Sequence, residues 1–133
     1  MAAWSGWIAV ALLCAAALVP LVQRLRHGVR AAPRSRSVAT HELLGMGATV
    51  AGCLHPLMAL FYLGSPEAIG AGELALGLGA LAFVLLIAHA GRGLRLRDPK
   101  LADRPKARRA HLTTAVAIAV AIGAHAAACL LAR

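Results

Sequence analysis

The sequence predicts an all-α integral membrane protein, a four-helix up-and-down bundle forming a single transmembrane domain over residues 1–133. Three observations carry that expectation. The chain is 60% hydrophobic with a mean hydropathy of +0.74, above the roughly half apolar composition of soluble domains. Its charges are segregated: of 14 Lys and Arg, five lie within 23–37 and eight within 92–109, leaving only Arg133. Between these blocks run four apolar segments, at about 4–22, 38–63, 68–90 and 110–132. Each is close to the ~20 residues a helix needs to cross about 30 Å of hydrocarbon.

The first segment, from Trp4 to Val22, has its two tryptophans, Trp4 and Trp7, at one end, where amphipathic rings suit a membrane interface. No basic residue precedes it, the first being Arg24, so it reads as a retained helix rather than a cleaved signal peptide. "HGVRAAP" ends it, "YLGSPEAIG" separates the second segment from the third, and "RDPKLADRP" separates the third from the fourth. Each break has the Gly/Pro punctuation of a turn. The two basic blocks join the spans in pairs, so both belong on the cytoplasmic side and both termini face outward. The expected location is the cell's inner (cytoplasmic) membrane, with several passes and lipid as the immediate partner. A pI near 11.3 then reflects loop charges rather than nucleic-acid binding.

Cys14, Cys53 and Cys129 all fall inside apolar spans, and no CxxC or CxxCH occurs. That argues against covalent haem attachment and against zinc or iron–sulfur sites, and leaves the cysteines as small packing residues. No loop is long enough to form a flavin- or nicotinamide-binding module, and no GxGxxG follows a predicted strand.

The histidines are the unusual feature. His41 and His55 are fourteen positions apart in the second span, and His111 and His125 repeat that interval in the fourth. Fourteen steps of about 100° return to within roughly 40° of the starting direction, about 21 Å further along the axis. Each pair therefore shares one helix face. His27 and His41 have the same spacing but straddle Pro33, so they do not. Ionisable groups within membrane spans are uncommon and usually functional. In an up-and-down bundle the second and fourth helices run parallel on a diagonal, so His41 faces His111 near the inner surface and His55 faces His125 further out. Two levels of opposed imidazoles suit two stacked, non-covalently bound haems. Gly45, Ala48 and Gly52 lie on the His41/His55 face, where small side chains let a flat porphyrin approach; plain helix packing would use the same residues.

The remaining polar groups are less telling. His27 reads as a solvated loop residue. His89 reads first as a polar interface residue and second as a partner for a haem propionate or a quinone. Glu42 and Glu73 suit interfacial carboxylates, with proton handling as the second reading. Met46 and Met58 could ligate iron, but histidine is available at both levels. Arg108, Arg109 and Arg36 flank the inner pair, where they can meet acidic propionates and favour the reduced iron.

"HELLGMGATVAGCLHPLMA" and "RRAHLTTAVAIAVAIGAHA" resemble the two haem-bearing helices of ferric-reductase-like transmembrane domains. The paired His-x13-His pattern also resembles the dihaem four-helix core of the cytochrome b subunits of quinol:cytochrome c reductases. The resemblance covers about 38–132. It implies two haem b groups ligated by His41, His55, His111 and His125, carrying electrons across the bilayer. Those families' flavin domain, additional helices and quinone motifs are not found, so the cofactor and electron transfer carry over and a substrate does not. The expected protein is a dihaem b-type cytochrome without catalytic residues of its own. Its expected partners are a quinone or a redox protein, most simply as one subunit of a larger complex. Two alternatives stay open: a quinol- or superoxide-linked oxidoreductase acting alone, and a histidine-lined metal or proton transporter. The transporter would favour carboxylates in the central spans, which carry none.

Overall fold

The computed structural model describes residues 2–61 and 72–132. Among the described residues the regular structure is entirely α-helical: α1 (Ala2–His27), α2 (Arg36–Leu60), α3 (Gly72–Arg95) and α4 (Arg104–Leu131). All four helices are long and apolar enough to cross a membrane. The chain divides into two compact units, 1–58 and 59–133, each built on a helical hairpin.

What these helices bury is small. The buried side chains are Ala9, Ala16, Ala48, Ala75, Ala82, Ala121, Leu86, Ile118 and Thr114, whereas Trp4, Leu43, Phe61, Leu74, Val84, Leu112 and Val120 are all at least 60% exposed. A soluble core would reverse this order. In hydrocarbon the large apolar groups lose nothing by facing outward, and alanine contacts let helix backbones approach.

In the first unit α1 and α2 run antiparallel, since residues 5 and 55, 16 and 41, and 23 and 37 meet. Gly28 ends α1 with φ +67 and its N–H reaches Arg24 O at 2.9 Å, a left-handed cap that glycine adopts without Cβ strain. Ser35 opens α2 by accepting from Val38 N at 3.4 Å. The Ser37 hydroxyl donates to Gln23 Oε1 at 3.1 Å and ties the two helices beside their loop.

The second unit repeats the hairpin with α3 and α4. Asp103 caps α4, accepting from Lys106 N at 2.9 Å, and Pro105 occupies the first turn, where its missing N–H costs nothing. Arg104 closes the connection through Nη1 to Leu96 O at 2.9 Å and Nη2 to Asp98 O at 2.7 Å.

The predicted segments correspond one to one with these helices, but their ends move. α1 runs on to His27, α3 runs on to Arg95, and α4 starts at Arg104 rather than near 110. α2 starts at Arg36 and ends at Leu60; the expected residues 62–63 and 68–71 lie outside the described residues. Much of the basic sequence expected in loops is therefore helical. Arg24, Arg26, Arg92 and Arg95 sit in last turns, where cations meet the negative end of the helix dipole and long side chains reach out of the apolar layer.

Candidate functional site

In both hairpins the second helix carries the paired histidines and the first helix receives them. His41 Nδ1 lies 2.8 Å from Ala16 O. A carbonyl only accepts, so Nδ1 is the donor in this bond. The sequence itself prepares that acceptor. In a regular helix Ala16 O would take the N–H of residue 20, but that residue is Pro20, inside α1, which has none. A residue that looks like a helix defect thus frees a carbonyl for a histidine on the neighbouring helix.

His55, at the end of the hairpin remote from the loop, is held differently. Its Nδ1 lies 3.0 Å from Ser5 Oγ, and its ring rests against Gly6, where an added Cβ would come within 3.0 Å of Cε1. In the second hairpin His125 Nδ1 donates to Ala75 O at 2.8 Å, and its ring rests against Gly79, where an added Cβ would again stand 3.0 Å from Cε1. Ser5 and Ala75 are 70 positions apart, as are His55 and His125 and also His41 and His111. The hairpins thus share one register, with a hydroxyl in the first where the second uses a carbonyl.

His111 packs against Gly93, where an added Cβ would lie 3.3 Å from Cε1. Its ring is stacked on that of His89, with centroids 3.8 Å apart and planes 14° from parallel. His89 Nδ1 lies 3.0 Å from Thr114 Oγ1. That hydroxyl already directs its one proton to Ala110 O (3.1 Å) and His111 O (2.9 Å), so the imidazole is the donor.

The other expected site residues lie within the individual hairpins. Gly45 is half-buried in α2, and an added Cβ there would meet nothing within 4 Å, so protein packing does not require a glycine at that point. Gly52 lies four residues before Pro56, whose missing N–H takes the Gly52 carbonyl out of the helical ladder. Ala48, between them, is fully buried. Arg108 and Arg109 are exposed in the first turns of α4. Met46 and Met58 are 58% and 37% exposed. Cys129 Sγ packs 3.9 Å from His125 Nδ1 and Nε2, one turn further along α4. Beside the loop of the first hairpin an open cavity of about 350 Å³ is floored by Leu18, Val19 and Val22 and edged by Gln23, Arg26, His27 and Ser37.

The sequence reading located the histidines but not their supports: Ser5, Gly6, Pro20, Gly79, Gly93 and Thr114. Some signal was present. Gly6, Gly79 and Gly93 lie on the helices facing the histidines, and Pro20 interrupts an apolar span four residues after its beneficiary. Only pairing of the helices connects them.

A neutral imidazole whose Nδ1–H is anchored presents Nε2 as a ready metal ligand, with tautomer and ring orientation fixed by the anchor. A bare ion held by protein alone typically needs three or more such ligands, and among the described residues no three His, Cys, Asp or Glu side chains come together. A macrocycle with four nitrogens of its own asks the protein for only two ligands, fewer than a bare ion needs. Compared with known proteins, the chain matches no family model, no curated protein and no solved structure.

Proposed function

We propose that this protein is a membrane electron carrier in which two haem b groups are each ligated by one histidine from either hairpin. His41 and His111 serve the haem on the loop side, and His55 and His125 serve the other. When bound, each haem supplies a one-electron Fe(III)/Fe(II) couple; the chain's part is to hold it six-coordinate, low-spin and away from water. The observation that carries the proposal is the matched anchoring of imidazoles in two hairpins of common register. His41 and His125 each direct Nδ1–H to a backbone carbonyl of the facing helix, the kind of anchor that orients an iron ligand.

The positive-inside rule places the basic ends of the helices in the cytoplasm. His41 and His111 are then the inner pair, both termini lie outside, and the location is the inner membrane. Arg108 and Arg109, three and two residues before His111, suit the propionates of the inner haem. A quinone or a redox protein exchanges electrons at the haem edges, and the cavity edged by Gln23 and Ser37 offers a quinone both an apolar floor and hydrogen-bonding groups. No residue is assigned a catalytic role, and the chain acts most simply as a subunit of a larger redox complex.

The deciding experiment is the absorption spectrum and haem stoichiometry of the purified protein. Two low-spin b-type haems per chain, unreactive to carbon monoxide when reduced, are expected. A preparation from haem-replete cells that contains none would end the proposal.

A further inference from the structure

We infer that His89 is a positioning residue that sets the ring plane of His111, giving one haem a rigidly oriented axial ligand for which the first hairpin has no counterpart. This inference rests on the haem reading above. Three observations support it, and none involves the cofactor.

The first is the stack itself. Two imidazoles whose centroids are 3.8 Å apart and whose planes differ by 14° restrict one another's rotation about the Cβ–Cγ bond. Either ring would have to collide with the other in order to turn. The second is that His89 is itself held: its Nδ1 donates to Thr114 Oγ1 at 3.0 Å, and Thr114 is buried with its proton directed to backbone carbonyls. The stacking partner is therefore a fixed plate rather than a mobile surface group. The third is Gly93 on the same helix as His89: an added Cβ there would stand 3.3 Å from His111 Cε1. His111 thus packs against the glycine backbone as well as against the neighbouring ring.

The first hairpin shows that the shared register does not require this device. The 70-residue offset that relates His41 to His111 relates Val19 to His89. Val19 has no plane to impose, and His41 is instead oriented by its 2.8 Å bond to Ala16 O. Two ligands proposed for one iron are thus steered by different means, a hydrogen bond along the ring edge in one case and a ring face in the other. The angle between the two axial imidazole planes controls the g-anisotropy of a low-spin ferric haem, so that signal reads out the ring orientation without any measurement of activity.

The test is low-temperature electron paramagnetic resonance of the full-length protein, with haem content measured in parallel. His89→Leu should keep two haems per chain and shift the largest g-value of one of them, while the other signal stays in place. The shifted signal should be the one that disappears in His111→Ala. His89→Phe, which restores a flat ring without the Thr114 bond, should return that g-value most of the way to wild type. Thr114→Val, which frees the His89 ring and leaves it in place, should broaden the same signal, and it serves if His89→Leu fails to accumulate. A His89→Leu protein with two haems and an unchanged spectrum would overturn this inference and leave the haem reading intact. Loss of a haem in His89→Leu but not in His111→Ala would overturn it too, by making His89 the ligand. A wild-type protein without haem would remove the premise, an outcome distinct from both.

Discussion

The first hairpin positions its histidines with a hydroxyl and a proline-freed carbonyl; the second uses a carbonyl and a neighbouring ring. Ser5 and Ala16 serve His55 and His41, whereas Ala75 and His89 serve His125 and His111. The shared element is a glycine against the ring at the end remote from the loop, Gly6 in one hairpin and Gly79 in the other. The constraint on these hairpins is therefore geometric rather than chemical. Each imidazole must be held in one orientation against the facing helix, and several different side chains and backbone groups achieve that.

The largest effect expected is on cofactor content. His55→Ala or His125→Ala should each remove one haem, and His41→Ala or His111→Ala should each remove the other, halving the haem per chain. If replacing His55 and replacing His41 removed the same haem, the assignment of one level to each end of the hairpins would be broken. Next comes Gly79→Ala, whose Cβ would lie 3.0 Å from His125; crowding of this kind costs about 1–3 kcal/mol. Gly6→Ala should behave alike, and Gly93→Ala more mildly. Gly45→Ala meets open space and should leave the melting temperature of the haem-free protein unchanged; thermal denaturation of the four variants gives the ranking.

A smaller effect is expected from charge. Positive residues favour the reduced, less positive iron, so the inner haem, near Arg108 and Arg109, should have the higher potential of the two. Arg108→Gln combined with Arg109→Gln should lower that potential alone in a redox titration. Both side chains are exposed, and screening keeps the shift modest. Movement of the other haem's potential instead would reverse the inner and outer assignment, as would a cytoplasmic N-terminus in cysteine-accessibility labelling. The smallest effect belongs to Pro20→Ala. It restores an N–H to compete for Ala16 O, and it should loosen His41 without displacing it, seen as a small shift in the spectrum of the haem it ligates. Because the second hairpin has Ala90 at the equivalent position, no matching change exists there.

Apolar run length was enough to read four helices from the sequence, because a membrane span must be long, helical and nearly free of charge. The helix ends were not readable by that criterion. Arg92, Arg95, Arg104 and Lys106 look like loop residues to a hydropathy argument, yet helix dipoles, an Asp103 cap and long aliphatic stems accommodate them in helices. The histidine intervals were legible because both members of each pair lie on one helix. Ser5, Gly6, Gly79 and His89 were not, since their meaning depends on a partner 22 to 50 residues away. Pro20 lies between these cases: its missing N–H is a sequence fact, and the use made of Ala16 O is a tertiary one.

The predominance of alanine among the buried side chains has a thermodynamic consequence. The positive heat-capacity change on unfolding a soluble protein comes from apolar groups passing from a packed core into water. Here Leu74, Val84, Leu112 and Val120 are already outside in the folded chain, and separating the helices within a bilayer would move them only from lipid to lipid. The heat-capacity change for helix separation in the membrane should therefore be close to zero. The enthalpy of dissociation would then be nearly constant with temperature, and the stability curve would be close to a straight line instead of a dome, with no cold-denaturation limb.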